Sequence, residues 1–271
     1  MLQLTRAVAG ASASAALIVA ATGCGSSGSA ASSDGEPSAR PGTAAPRPVS
    51  AARLAHLPKA TTFGTVRGAP ADPRPTAPLD GTVLHPARDT AVYDKPGGKP
   101  IAMLPAKQLK GPAWVPVIAK KSGWRQVLLP SRPEHASGWL ADGDGLKEAS
   151  SSYRIEVDLA KHRLSVSDGD KKAGSWPVAV GTKKNPTPTG RTFVLASLSP
   201  THPTYSKLIF PLGTHSNSLD SFGGGPGTVA LHGWPDKSVL GHDVSHGCVR
   251  LPTEALTTLA RVPLGSPVQI T

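Results

Sequence analysis

The residue best suited to chemistry in this chain is one thiol near its carboxyl end, Cys248. It lies in the stretch LHGWPDKSVLGHDVSHGCVRL, residues 231–251, where His232, His242 and His246 are candidate bases. A free thiol is only about a few per cent ionised at neutral pH. An imidazole that accepts its proton leaves a strong nucleophile. These residue types therefore predict acyl transfer through a thioester.

The residue before the thiol, Gly247, supports the same chemistry. Glycine allows tight backbone geometry and close approach of a substrate. The backbone N–H groups of Gly247 and Cys248 could face a developing oxyanion. A zinc hydrolase is the alternative, because histidine and cysteine side chains also bind zinc. Uneven ligand spacing and the lack of a neighbouring glutamate base count against that alternative.

The surrounding residues resemble a known active-site signature. Ser245-His246-Gly247-Cys248-Val249-Arg250, with His232-Gly233 upstream, is similar to the signature of the L,D-transpeptidases, whose catalytic domains are called YkuD-like. Pro235 and Gly241 lie between the two halves, as in that family. Thr187–Phe193 (TPTGRTF) resembles the family's Thr-Pro-x-Gly-x-x-Phe segment. The resemblance covers residues 151–271 and implies a β-sandwich-like catalytic domain.

The resemblance also implies a role for each matched residue. Cys248 matches the nucleophile, and His232 matches the general base and acid. Gly233 matches a position whose backbone carbonyl orients the imidazole. The residues that match the oxyanion pocket and the substrate-carboxylate contact are Ser245, His246, Gly247 and Arg250. Some family members have Asn in place of Arg250, and His242 lies outside the family positions.

The activity implied by the family is cell-wall cross-linking. The thiol attacks the amide after the diamino acid of a peptidoglycan tetrapeptide stem, and the amine of a second stem resolves the thioester into a 3→3 cross-link. Water as the acceptor gives L,D-carboxypeptidase trimming. The family implies no metal or organic cofactor and acylation by carbapenems. A non-enzymatic wall-binding lipoprotein of the same fold is the other alternative, against which the intact cysteine and histidine argue.

The segment from residue 151 onward has the pattern of a mainly β domain. Ile155, Val157 and Leu159 alternate with polar residues, which is typical of a half-buried strand. Further short strands are expected to form an antiparallel meander with the first. One helix is predicted over Thr253–Arg261, with Thr253 as its cap, and Val268–Ile270 can return as a final strand.

Residues 80–150 have a different pattern, with short apolar runs separated by turn signals. Five strands are predicted in this region, and five short strands in so few residues suggest a small β-barrel. The layout resembles bacterial SH3-like wall-associated domains. The runs are Thr90–Tyr93, Ile101–Leu104, Trp114–Ile118, Trp124–Leu129 and Gly138–Leu140.

The amino-terminal region is typical of an exported lipoprotein. Residues 1–24 combine Arg6 with a short apolar stretch and end at Cys24 in a lipobox-like setting. An ordinary cleaved secretory signal is the alternative. Residues 25–79 are rich in Pro, Ala, Ser and Gly and are predicted to form a linker, although residues 61–79 could instead add a strand to the SH3-like region. The expected location is the outer leaflet of the cytoplasmic membrane, reaching into the wall.

Composition excludes several other classes of protein. The net charge of +11 divides into +4, +3 and +4 over residues 1–79, 80–150 and 151–271, so no basic stripe for nucleic acid is predicted. No run of 18 apolar residues is present, which excludes a polytopic membrane protein. Common nucleotide-binding glycine motifs are also absent. Diffuse positive charge fits an anionic membrane surface or wall polymer.

Overall fold

A computed structural model describes residues 48–143, 145–202, 205–222 and 224–271. The predicted signal peptide, Cys24 and the first part of the predicted linker lie outside these residues. Within the described residues, no helix is long and apolar enough to span a bilayer.

The amino-terminal half is built around an antiparallel sheet. Its strands are β1 Thr82–Pro86, β2 Thr90–Tyr93, β3 Pro100–Leu104, β4 Lys107–Gln108, β5 Gly111–Pro112, β6 Val115–Lys121, β7 Trp124–Leu128, β8 Ser137–Ala141 and β9 Leu146–Ser150. Seven of them pair in the order β3-β2-β8-β7-β6-β1-β9, while β4 and β5 form a separate ladder. The five predicted runs correspond to β2, β3, β6, β7 and β8. The SH3-like assignment itself stays a prediction.

The carboxyl-terminal half contains two larger sheets and one helix against them. Its elements are β10 Tyr153–Asp158, β11 Arg163–Asp168, β12 Lys171–Pro177, β13 Val180–Gly181, β14 Gly190–Phe193, β15 Ile209–His215, β16 Thr228–Gly233, β17 Asp243–Ser245, β18 Val249–Leu251, α2 Thr253–Leu259 and β19 Pro267–Ile270. A 3-10 turn spans Lys237–Val239. One sheet has the order β12-β11-β10-β19-β14, and the other has the order β15-β16-β18.

The predicted meander is confirmed for β10, β11 and β12, which pair antiparallel in sequence order. The final strand is also present, but β19 inserts parallel to β10 and separates it from β14. The predicted helix forms over Thr253–Leu259. Its cap position is Pro252, which makes no side-chain cap bond, so the prediction of Thr253 as the cap is wrong. A mainly β fold with few short helices is therefore confirmed.

The prediction of a linker over residues 25–79 is wrong for residues 48–79, which pack against the sheets. Helix α1 spans Ala51–Ala55, and Ala60 and Val66 are fully buried. Single β-bridges join this segment to the amino-terminal half, for example Thr65 with Arg132. Small side chains and backbone pairing order the segment. The content of large apolar residues did not predict this order, because the buried groups are mostly small side chains, backbone atoms and the paired carboxylate of Asp72.

The hydrophobic core does not divide cleanly at residue 150. Buried side chains of the first half cluster with Phe193 and Leu195, which lie at and just beyond the end of β14 in the second half. The described residues all lie in one compact unit. A second cluster fills the space between the two sheets of the carboxyl-terminal half and α2, and includes Ile155, Leu231 and Leu256. One face of the sheet β15-β16-β18 thus packs against this cluster.

Candidate active site

One face of the sheet β15-β16-β18 forms the floor of a cavity. Strands β16 and β18 run parallel with His232 opposite Arg250. Side chains alternate between the two faces of a strand, so Ala230 and His232 project to the same side. Cys248, immediately before β18, projects with Arg250 to that side. The register therefore brings the thiol and the imidazole, 16 residues apart in sequence, onto one surface.

Burial of the opposite face makes this orientation obligatory. Val229, Leu231 and Val249 alternate with the cavity residues and are at most 1 % exposed. They pack into the core cluster with Phe210. A shift of one residue in pairing would exchange the two faces and expose this apolar set. The hydrophobic pattern thus sets which residues face the substrate.

The cavity above this floor has a volume of about 570 Å³. Ligand sites commonly combine a mainly apolar lining with a few polar groups. Reactive, cationic and aromatic side chains all contribute here. The lining residues are Tyr205, Ile209, Pro211, Phe222, Thr228, Ala230, His232, Trp234, Ser245, His246, Cys248 and Arg250.

The His232 ring is held in one orientation by a backbone carbonyl. Its Nδ1 lies 2.7 Å from the Gly233 carbonyl oxygen. Because a carbonyl only accepts hydrogen bonds, Nδ1 carries the proton and Nε2 keeps a lone pair. The side chain is buried, and this burial lowers the pKa of His232 to about 4, with the nearby Arg250 cation acting in the same direction. The imidazole is therefore a neutral base at physiological pH.

Cys248 has a free thiol. Burial raises its pKa, against the opposing effects of a backbone hydrogen bond from Ala230 and the positive charge of Arg250. Both members of the pair are consequently uncharged near neutral pH. Among the described residues, no hydrogen bond joins Cys248 Sγ to the His232 ring. The resting site holds a thiol and a neutral imidazole, not a preformed ion pair.

Ser245 organises the turn that presents the thiol. Its hydroxyl donates to the Cys248 carbonyl at 2.6 Å and accepts from the Gly247 N–H at 3.1 Å. Gly247 has a φ of +116°, a conformation that favours glycine. The Gly247 N–H, which the sequence offered as an oxyanion donor, is thus engaged inside the turn. Ser245 contributes by shaping this turn.

Aromatic side chains of the cavity pack against Arg250 and His232. The Arg250 guanidinium lies over the Trp234 ring, with Cζ 3.6 Å from the ring centroid. Tyr205 packs edge-on against His232, with centroids 4.8 Å apart, and also contacts Trp234. Buried Arg250 Nε has no hydrogen-bond partner within the described parts of the chain. The site therefore presents a positive charge with unused donor capacity beside the thiol.

His246 occupies a different position from His232. It is exposed at the cavity rim and stacks on Phe222, with ring centroids 5.1 Å apart. His242 is not among the residues that line the cavity. Only one of the three histidines is therefore buried on the floor with the thiol.

Comparisons with known proteins identify the family of the chain. Residues 152–270 match the model of the YkuD family, described as the L,D-transpeptidase catalytic domain. YkuD of Bacillus licheniformis, a protein assigned as an L,D-transpeptidase, is 30 % identical over 154 residues, covering 54 % of this chain and 86 % of the relative. The chain belongs to the L,D-transpeptidase family.

Solved structures of L,D-transpeptidases are more distant. One from Mycobacterium smegmatis is 16 % identical and covers 72 % of this chain and 100 % of its own, with a TM-score of 0.39. L,D-transpeptidase 3 from Mycobacterium tuberculosis, solved with a faropenem-derived adduct, is 18 % identical and covers 61 % and 76 %, with a TM-score of 0.38. Family membership follows from the two sequence matches.

Other segments of the L,D-transpeptidase signature lie outside the cavity. Within Thr187–Phe193, the Thr187 hydroxyl accepts a 2.9 Å hydrogen bond from the Gly181 N–H, and Arg191 is buried against Asp72. Gly233 lines a neighbouring pocket of about 220 Å³, to which Trp234 also contributes. Thr187, Arg191 and Gly233 therefore support the site and are not among the residues that line its cavity.

Sequence reasoning missed the aromatic lining of this L,D-transpeptidase site. Tyr205, Phe222 and Trp234 lie in connections, where no periodicity marks them. Trp234 directly follows the His232-Gly233 pair, which is the one signal that could have found it. The zinc alternative needed the histidines and Cys248 to converge, and the described residues hold no group of three or more His, Cys, Asp or Glu arranged for a metal ion.

Proposed function

We propose that this chain is a peptidoglycan L,D-transpeptidase that forms 3→3 cross-links through a thioester on Cys248. One observation carries the proposal: Cys248 and His232 share the floor of an open cavity, where the fixed tautomer of His232 leaves Nε2 as a base. Family membership supports the reaction class. The partners are peptidoglycan stem peptides, and the reaction needs no metal or organic cofactor.

In the first half-reaction, Cys248 Sγ attacks the carbonyl carbon of the diamino acid at stem position three. The S–H proton moves to His232 Nε2 as the S–C bond forms, because neither group is charged beforehand. The imidazolium then returns this proton to the amide nitrogen as the C–N bond breaks. D-Alanine leaves, and a thioester remains.

In the second half-reaction, a side-chain amine of a neighbouring stem attacks the thioester carbon. His232 accepts the amine proton, the C–S bond breaks, and the proton returns to sulfur. Water in place of the amine gives L,D-carboxypeptidase trimming with the same proton movements. The cation of Arg250 lies beside the sulfur and is suited to the substrate carboxylate or to the developing oxyanion.

Intact mass spectrometry tests the covalent step. The full chain is incubated with a carbapenem, which is expected to add its mass once to the wild type and not to Cys248→Ala. Release of D-alanine from a tetrapeptide donor, with and without an acceptor amine, then tests turnover. Acylation of Cys248→Ala would contradict the assigned nucleophile. A wild type that releases no D-alanine would favour the non-enzymatic wall-binding alternative.

We also propose that Cys24 carries the lipid that anchors the protein on the outer face of the cytoplasmic membrane. The proposal rests on the sequence of residues 1–24 alone. Metabolic labelling with a fatty acid should label the wild type and not Cys24→Ala. An unlabelled wild type would favour a secreted protein without an anchor. Durable anchoring needs more than one acyl chain, because a single chain binds membranes weakly.

A further inference from the structure

A hairpin loop between β15 and β16 supplies one wall of the cavity. Residues 216–222 and 224–227 of this loop are described. Its base is closed by the Ser216 N–H, which donates to the Gly227 carbonyl at 2.8 Å. Near its far end, Phe222 lines the cavity and stacks on His246, two residues before the thiol. The position of the loop therefore sets where this wall lies.

A cation from the amino-terminal half holds this loop. Arg132, in the connection between β7 and β8, donates to the carbonyl oxygens of Ser216 at 3.3 Å, Leu219 at 3.1 Å and Pro226 at 3.3 Å. These acceptors lie on both legs of the loop. A planar guanidinium offers several donors in a fixed fork, so one side chain can join the two legs.

Arg132 is itself held in place. Its N–H donates to the Gly64 carbonyl at 3.0 Å, and its own carbonyl accepts the Val66 N–H at 2.8 Å. Two residues later, the Glu134 carboxylate accepts from the backbone N–H and the ring Nδ1 of His215, both at 2.8 Å. The connection is thus fixed against the ordered 48–79 segment and against the end of β15.

The base of the loop is shaped to admit the guanidinium. Gly227 has a φ of +75°, and a Cβ there would lie 2.4 Å from the Leu219 carbonyl oxygen and 3.1 Å from an Arg132 nitrogen. A side chain at this position would push the carbonyl and the guanidinium apart. The glycine therefore lets Arg132 reach its acceptors.

We propose that Arg132 is a positioning residue for the transpeptidase reaction, acting through Phe222 to set the wall against which the donor stem binds. Arg132 contacts neither the thiol nor the base, so it affects binding of the donor and leaves the bond-making steps in place. The inference rests on the proposed function. It makes the amino-terminal half part of the apparatus that shapes the site.

Steady-state kinetics on the full chain test this role through the split between KM and kcat. Arg132→Ala is expected to raise the KM for a tetrapeptide donor about tenfold, the scale of one charge-assisted hydrogen bond, with little change in kcat. Arg132→Lys keeps the positive charge but not the planar, forked arrangement of donors, and it should recover part of the lost affinity for the donor. Arg125→Ala is the matched control, because Arg125 pairs with Asp142 within the amino-terminal half and should leave KM unchanged.

A double-mutant cycle tests the route through Phe222. If Arg132 acts through this ring, the KM of Arg132→Ala/Phe222→Ala equals that of Phe222→Ala alone. Additive effects, or a fall in kcat without a rise in KM, would overturn the inference. The inference would also be overturned if Arg132→Ala and Arg132→Lys both had the KM of the wild type while the wild type releases D-alanine. A wild type without donor turnover contradicts the proposed function instead.

Discussion

Two polar pairs with little access to solvent compensate for their lost hydration in opposite ways. Asp72 and Arg191 have side chains that are 0 % and 3 % exposed, and they form a bidentate ion pair with both contacts at 2.6 Å. His232 is buried and Cys248 is half-buried, and the two lack a mutual hydrogen bond. Burial instead raises the pKa of the thiol and lowers that of the imidazole.

The contrast distinguishes polar groups that stabilise the fold from polar groups that can react. A fully paired buried charge fixes one segment against another, here residue 72 of the ordered 48–79 segment against β14. A buried group with an unused lone pair or proton retains the capacity to react with a substrate. The free-energy cost of burying polar groups is therefore met by an ion pair that joins two segments in one region, and by uncharged, reactive groups at the candidate catalytic site in the other.

Loss of the base should give the largest effect on activity. His232→Ala removes the acceptor of the thiol proton and the donor to the leaving amine, so carbapenem acylation and D-alanine release should fall by about 10²–10⁴. The free energy of unfolding should not fall in proportion to the activity, and urea unfolding measures it. Acylation of His232→Ala at the wild-type rate near neutral pH would show that the base is elsewhere.

Loss of the structural carboxylate should damage stability without touching the cavity. Asp72→Ala leaves the Arg191 cation buried without its partner and should cost about 3–5 kcal/mol in urea unfolding. The partly exposed pair of Arg125 and Asp142 is the control, and Asp142→Ala should cost under about 1 kcal/mol. Replacing both members by Asp72→Leu and Arg191→Met should recover most of the loss. Equal costs for the two aspartate variants would remove the distinction between the pairs.

Protonation of His232 should lower the stability of the protein between about pH 6.5 and pH 4. Native His232 stays neutral down to about pH 4, whereas the unfolded chain binds this proton near pH 6.5. The unfolded state therefore binds more protons as pH falls, so stability from this group is complete above pH 6.5 and declines by about 3 kcal/mol toward pH 4. The acid limb of kcat/KM should likewise have its midpoint near pH 4.

The difference in unfolding free energy between wild type and His232→Gln isolates this contribution from other titrating groups. This difference should change steadily between pH 6.5 and 4 and be constant above that range. A difference independent of pH, or an acid limb near pH 6.5, would mean that the imidazole is more exposed to water than the structure has it.

The smallest effect is expected at the rim. His246→Gln loses stacking on Phe222, a contact worth about 0.5–1.5 kcal/mol, so acylation should fall by no more than about tenfold. Carbapenem acylation rates for His246→Gln and His232→Ala, measured in parallel over pH 5–9, rank the two histidines. An inactive His246→Gln beside a fully active His232→Ala would reverse their roles.

Local patterns in the sequence predicted much of the catalytic half. Alternation identified β10 and β11, and the residues around Cys248 indicated the family and the thiol and imidazole that line one cavity. The amino-terminal apolar runs likewise corresponded to strands. These predictions succeed because strand periodicity and a contiguous signature are local properties, visible without knowledge of tertiary contacts.

The features that the sequence concealed depend on long-range partners. Asp72 and Arg191 are separated by 119 residues, and neither is marked as buried by its neighbours. Residues 48–79 have a linker-like composition, yet Ala60 and Val66 are buried because other segments surround them. Phe222 lines the cavity only because a hairpin loop carries it there. Such placements are decided by tertiary packing.

The protonated state of Cys248 also has a consequence for the durability of the protein. Oxidants attack the thiolate far more readily than the thiol, and progressive oxidation of cysteine ends in irreversible acids. Burial raises the pKa of this sulfur, so the resting thiol is a poor target for oxidants. In the proposed mechanism it loses its proton only when His232 accepts it during attack on a substrate carbonyl, which shortens the time during which irreversible oxidation can occur.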